Sequence, residues 1–240
     1  MNVSLMHQNQ PTLEYGTPLS AASHAVVLLH ERGATAQGML SIADKLAMPD
    51  VAFVAPQAAA QTWYPQSFLA PLDANEPALS SARHMLRRLF SRVQAHQITP
   101  DRVMLLGFSQ GACLALDYAA RHPQRYGGVV AFSGGLMGPP ASPLTYTGDM
   151  RGTPVFLGCS DSDPHIPLDR VHESASVFRT LHAAVDTRVY PDMEHTVNDD
   201  EIQAARQMLS TMDARSPAPV LHRAPTHTRT QRDRKSTRLN

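Results

Sequence analysis

The chain has little cysteine: only Cys113 and Cys159 in 240 residues. That excludes a disulfide scaffold and suits a reducing compartment. It has no run approaching the ~18 apolar residues of a membrane-spanning helix. Its opening residues, Met1-Asn2-Val3-Ser4-Leu5-Met6, supply neither the basic head nor the apolar stretch of a secretory signal. The expectation is a cytoplasmic protein without stable membrane insertion. Aromatics are sparse at 6%, so alanine, leucine and valine must supply most of the core volume. No pair among the twelve histidines stands at zinc-ligand spacing with supporting cysteines, and neither a metal nor another cofactor is expected. His84, His96, His172 and His182 fall on expected helices and read as surface residues.

Net charge is absent only in the sum. Of 21 Lys/Arg and 21 Asp/Glu, seven basic residues and one acid lie at or beyond Arg215. Residues 1–214 therefore carry 14 basic and 20 acidic side chains, and a body at −6 argues against nucleic acid as its ligand. The last residues hold proline, threonine and arginine without periodicity, the pattern of a disordered segment. A basic tail can serve as a membrane or nucleic-acid arm. Its ending, Asp233-Arg234-Lys235-Ser236-Thr237-Arg238-Leu239-Asn240, resembles instead a translated sequencing adapter. The expected division is one domain over 1–213 and a disordered basic tail of non-native origin over 214–240.

What is present is a strong α/β pattern. Short apolar runs at Val26–His30, Val51–Ala55, Val103–Gly107, Val129–Ser133, Val155–Cys159 and Thr187–Tyr190 are mostly continuous rather than alternating. Strands of a mainly parallel sheet look like this when helices cover both faces. Between them, helical spacing marks Gln37–Ala47, Ala78–His96, Gln110–Arg121, Leu168–His182 and Asn198–Met212, the last with Asn198 as a cap. Leu13–Ser23 is expected to add an edge hairpin.

Gly107-Phe108-Ser109-Gln110-Gly111 joins the strand Val103–Gly107 to the helix that follows. The pentapeptide alone is short enough to recur by chance; its flanks give it meaning. A serine at a sharp strand-to-helix corner is presented as a nucleophile, and glycines on either side leave room for the bend. The new helix aims free N–H groups and its positive dipole end at the reacting oxygen. A serine hydroxyl needs a base, and the base an orienting acid, in the chain order Ser, Asp or Glu, His.

Both partners are expected in loops beyond later strands. After Val155–Cys159 stand Asp161 and Asp163; Asp163 is favoured, because Pro164 stiffens the loop behind it, and Asp161 reads as a turn carboxylate. His195 follows the strand Thr187–Tyr190 and is the expected general base. The oxyanion donors should be the backbone N–H groups of Gln110 and of Arg32, in the loop after Val26–His30. His30 reads as a structural anchor, and His165 either lines the pocket or is simply solvated.

Leu29-His30-x-Arg32-Gly33-Ala34, Thr62-Trp63-Tyr64, Gly107-Phe108-Ser109-Gln110-Gly111, Asp163-Pro164-x-Ile166-Pro167 and His195 together resemble the phospholipase/carboxylesterase family, over roughly residues 26 to 209. The resemblance implies an α/β-hydrolase fold with a minimal lid, Ser109, Asp163 and His195 as catalytic triad, Arg32 and Gln110 at the oxyanion hole, and a bacterial carboxylesterase acting on a small-molecule ester. Trp63 resembles the family's pocket-wall aromatic, the alternative being core packing. With Tyr64, Phe68 and Leu69 it suggests an apolar wall, and His165 joins the substrate-binding candidates. Short-to-medium acyl chains are expected; an acyl-thioesterase or lysophospholipase would use the same triad, and a homodimer is compatible with the family. Two positions depart from the family pattern, Glu31 and Glu194, where glycine is usual. Each adds a carboxylate near the developing negative charge, which raises the alternative of a catalytically weakened, ligand-binding hydrolase fold. Glu31 is expected to turn to solvent.

Overall fold

The computed structural model describes residues 6–140 and 142–214. The expected tail lies outside the described residues except for Ala214, which closes the last helix. Among these residues, seven strands form one sheet: β1 (Thr12–Gly16), β2 (His24–Leu29), β3 (Val51–Pro56), β4 (Val103–Phe108), β5 (Gly128–Phe132), β6 (Pro154–Ser160) and β7 (Ala184–Tyr190). Their spatial order is β1-β3-β2-β4-β5-β6-β7, antiparallel between β1 and β3 and parallel elsewhere. Every residue of β2, β3, β4 and β5 is buried, which is why these strands read as unbroken apolar runs.

Among the described residues, five α-helices cover the sheet: α1 (Leu40–Leu46), α2 (Ala78–Ala95), α3 (Gln110–Arg121), α4 (Leu168–Thr180) and α5 (Asp199–Ala214). Side chains of α2, α3 and α4 belong to the apolar cluster on one face, and those of α1 and α5 to the cluster on the other. This is an α/β-hydrolase fold. In α2 the buried stripe is Leu79, Ala82, Leu86, Leu89, Phe90 and Val93. Fully burying a leucine or phenylalanine contributes about 1.5–3 kcal/mol. α2 is also tied to α3 by charge: Asp117, fully buried, accepts from Arg83 Nε at 2.7 Å and Nη2 at 2.9 Å, and from Arg121 Nε at 2.8 Å. The buried carboxylate is held by two charged donors, and its removal would take from both arginines their buried partner.

Two expectations are corrected. Leu13–Ser23 does not form a hairpin. β1 stands alone at the edge beside β3, and Gly16, at φ +77°, ends it by passing so close to Val51 that a Cβ would lie 2.7 Å from that carbonyl oxygen. The chain then turns through Pro18–Ala22 to reach β2. Both edges of β2 are already taken, by β3 and β4, so a β1–β2 hairpin has no place in the sheet. The helix expected from Gln37 starts at Leu40, because tight turns bond Gly38, Met39 and Leu40 N–H to carbonyls three residues back.

All strands from β2 onward run in parallel, so the loops after β2, β4, β6 and β7 open on the same end of the sheet, where open α/β folds place their ligands.

Candidate active site

β4 ends at Phe108 and α3 begins at Gln110, so Ser109 alone makes the corner. Its backbone sits at φ 52° and ψ −116°, a region sparsely populated by non-glycine residues. Neighbours hold it there: Ser109 N–H donates to Phe132 C=O at 2.9 Å, and its carbonyl accepts from Cys113 N–H at 3.0 Å. The flanking glycines serve different contacts. A Cβ on Gly107 would lie 2.3 Å from the Gly111 backbone, directly across the bend; one on Gly111 would lie 2.1 Å from the Leu29 carbonyl oxygen, against the end of β2.

Three loops converge on this serine. Ser109 Oγ lies 2.9 Å from His195 Nε2, and His195 Nδ1 lies 2.7 Å from Asp163 Oδ2. Asp163 Oδ1 accepts from His165 N–H at 2.8 Å and Ile166 N–H at 3.0 Å. Burial alone would raise the Asp163 carboxyl. The His195 hydrogen bond and the two backbone donors outweigh it and hold the group below its ordinary value, so it is an anion. An anion at Nδ1 fixes the tautomer with the proton on Nδ1 and leaves Nε2 free to accept from the Ser109 hydroxyl. The imidazole is fixed from its faces as well, with Phe108 stacked at 5.0 Å and His165 edge-on at 4.8 Å.

Asp161 is a turn carboxylate that ties the two loops: its N–H donates to Tyr190 C=O at 3.1 Å, and its Oδ1 accepts from Asp192 N–H at 3.0 Å. Cys159 carries no hint of its role in the sequence. Burial pushes its thiol up to about 12, so it stays protonated and directs S–H toward Asp163 Oδ2 at 3.8 Å and Ile166 C=O at 3.9 Å.

Above Ser109 lies an open cavity of about 470 Å³. Tyr64, Phe68, Cys113, Ile166, His165 and Arg32 line it. Gln110 opens α3, so its N–H has no acceptor within the helix. In the β2 loop, Gly33 N–H donates to Gln61 C=O and Ala34 N–H to Glu31 C=O, while Arg32 N–H finds no protein acceptor among the described residues. The Arg32 side chain is held away, donating to Pro65 C=O at 2.8 Å and Gln66 C=O at 2.7 Å.

The Gln110 side chain has a second task that sequence reasoning missed. Its amide is buried, accepting from Trp63 N–H at 2.9 Å and donating to Tyr64 C=O at 2.8 Å, which clamps the loop that carries Tyr64.

The pocket-wall reading of Trp63 is corrected: given as a substrate-binding candidate with core packing as the alternative, the residue takes the alternative. It is fully buried and does not border the cavity, because its indole N–H turns inward to His30 C=O at 2.8 Å. Leu69 does not border it either. His30 is the expected anchor: Nδ1–H donates to Glu31 C=O at 2.7 Å, Nε2 accepts from Ala58 N–H at 3.1 Å, and the ring lies 4.8 Å from Trp63. His7 mirrors it from the other side, donating to Trp63 C=O and accepting from Ala59 N–H. Burial pushes both imidazoles below their ordinary value, consistent with neutral rings.

The two extra carboxylates part company. Glu194 is exposed and does not border the cavity; Glu31, expected to face solvent, is partly buried at its rim. Neither has a positive φ, so neither position demands glycine. Behind the base loop, Asn198 caps α5 reciprocally: its Oδ1 accepts from Glu201 N–H and Glu201 Oε2 accepts from Asn198 N–H, both at 2.9 Å. Glu201 is fully buried, its Oε1 has no hydrogen-bond partner among the described residues, and burial pushes its carboxyl up to about 7.

Among the described residues, no group of three or more His, Cys, Asp or Glu is placed to hold a metal ion, and no helix is long and apolar enough to cross a membrane.

A family model described as phospholipase/carboxylesterase matches residues 14–213. A phospholipase/carboxylesterase from Dyadobacter fermentans is 40% identical in its solved structure, with a TM-score of 0.80 over 84% of this chain and 97% of that one. The Bacillus cereus carboxylesterase superposes with a TM-score of 0.67 at 15% identity, covering 85% and 95%, a likeness of fold alone. Acyl-protein thioesterase 1 of Saccharomyces cerevisiae is 32% identical over 108 residues, 44% of this chain and 48% of that protein. The chain spans about half the length of the curated relatives it matches.

Proposed function

The chain belongs to the phospholipase/carboxylesterase family, and from that premise we propose that it is a serine hydrolase that cleaves carboxylic esters through an acyl-enzyme. The observation that carries this reading is the continuous chain from Ser109 Oγ through His195 to Asp163, at 2.9 and 2.7 Å. Ser109 Oγ attacks the ester carbonyl as His195 Nε2 takes its proton, and Asp163 stabilises the imidazolium. The tetrahedral oxyanion is received by the N–H groups of Gln110 and Arg32. His195 then returns the proton to the departing alcohol, and water, activated the same way, frees the acid.

Short-to-medium acyl chains suit the site. At about 470 Å³ the cavity has the size of small-ligand sites, and Tyr64, Phe68 and Ile166 give its wall an apolar character. The two free, buried thiols are compatible with a cytoplasmic location. A second reading, thioester hydrolysis with the same three residues, draws on the thioesterase relatives.

Turnover of p-nitrophenyl esters from acetate to octanoate, against long-chain acyl thioesters, separates the two. The proposal expects the short esters to be preferred and Ser109→Ala to abolish the activity. Activity surviving in Ser109→Ala would remove the proposal.

A further inference from the structure

Glu31 stands where two depressions meet. One is the cavity over Ser109; the other, about 260 Å³, lies between α1 and the base loop, with Met39, Ile42, Phe108 and Val197 in its lining. Phe108 is also the ring stacked on His195. Geometry divides a bound ester between them. The departing oxygen must come within reach of His195 Nε2 to receive its proton, so the alcohol half lies on the imidazole side, toward the second depression. The acyl half is left to the cavity beside Tyr64 and Phe68.

Glu31 is the acid that borders both depressions. Its carboxylate has no hydrogen bond or ion pair among the described residues. Two cations also border the depressions: Lys45 is paired with Asp199 at 3.5 Å, and the Arg32 guanidinium keeps its charge but is held toward the Pro65 and Gln66 carbonyls, on the Tyr64 side of the first cavity. An unpaired carboxylate on this partly buried residue, where the two depressions meet, attracts a cation in the departing group and repels an anion there. We infer that Glu31 selects esters whose alcohol carries an ammonium group close to the ester oxygen, that is, amino-alcohol esters. This rests on the ester-hydrolase reading and goes beyond it by assigning the alcohol subsite. Two charges about 5 Å apart in a half-wet site, screened by solvent, correspond to roughly tenfold in rate.

The test compares choline butyrate with 3,3-dimethylbutyl butyrate, in which carbon replaces the cationic nitrogen. Both form the same butyryl-enzyme, so deacylation is common to the pair and the ratio of their kcat/KM values isolates the alcohol half. The wild type should favour the choline ester about tenfold, and Glu31→Gln should bring the ratio near one. General effects of the substitution on the oxyanion cancel in that ratio. Hydrolysis of both esters with a ratio at or below one, or with a ratio that Glu31→Gln leaves in place, overturns the subsite while the hydrolase reading stands. Hydrolysis of neither ester removes both.

Discussion

Asp163→Asn perturbs the site at one atom, and the structure dictates how. The two backbone donors at His165 and Ile166, 2.8 and 3.0 Å from Oδ1, will keep the amide oxygen in that position. The amide nitrogen then replaces Oδ2, 2.7 Å from His195 Nδ1, and presents hydrogens where the imidazole now presents its own. His195 can relieve the clash only by moving its proton to Nε2, where it faces Ser109 and cannot take the hydroxyl proton. Flipping the amide restores the useful tautomer but sets its NH₂ against two N–H donors, at about 1–3 kcal/mol for each unmade bond. In either case the imidazolium loses an anion about 4 Å away, worth about 4 kcal/mol at an effective dielectric of 20. The barrier should rise by about 4–6 kcal/mol, three to four orders of magnitude in kcat. The assay is p-nitrophenyl butyrate hydrolysis at neutral pH, with the melting temperature as a check on folding. A folded variant that keeps more than a tenth of wild-type kcat would refute the reasoning about the tautomer.

Other substitutions test the framework behind the site. Gly111→Ala forces α3 away from β2, since its Cβ would lie 2.1 Å from the Leu29 oxygen; overpacking of this kind costs about 1–3 kcal/mol. Its melting temperature should fall by roughly 5 °C or more, and the proposed esterase activity should fall further, because the helix carries the proposed oxyanion donor, Gln110 N–H. Asp117→Ala removes the buried carboxylate shared by Arg83 and Arg121, leaving Arg83 with Glu76 at 3.9 Å and Arg121 with solvent, and should cost about 3 kcal/mol in urea unfolding. Glu201 makes stability depend on pH. The native protein keeps its proton up to about 7, while the unfolded chain releases it near 4.5, so folding takes up a proton between those values. Stability is therefore greatest below that window and declines by about 3 kcal/mol as pH rises through it. Urea midpoints of the wild type should show that component between pH 5 and 8, and Glu201→Gln should lack it.

Much of this could be read from the chain because burial leaves a one-dimensional trace. β2 to β5 are covered on both faces, so their residues are apolar without interruption, and the 3.6-residue stripe of α2 is equally plain. The serine corner shows because steric exclusion at residues 107 and 111 leaves only glycine. What escaped has no local trace. The partner of β1 is decided by which edges of β2 are occupied, a property of the whole sheet. The second role of Gln110 and the anchoring by His7 depend on carbonyls and N–H groups some fifty residues distant, at Trp63, Tyr64 and Ala59. Trp63 was ambiguous for a related reason: a large aromatic beside a cavity can face either way, and only the position of an acceptor for its indole, His30 C=O, decides. Glu31 shows the same limit, since charge alone does not say whether a loop residue reaches the rim.

The central claim is that His195 and Asp163 make Ser109 the nucleophile. The most direct measurement is peptide mass spectrometry of the intact chain after brief exposure to a fluorophosphonate, for the wild type, Ser109→Ala and His195→Ala. One covalent phosphonyl group on the peptide containing Ser109, no labelling of Ser109→Ala, and labelling slowed at least a hundredfold in His195→Ala are the predicted results. Labelling at another residue, or wild-type rates in His195→Ala, would contradict the account.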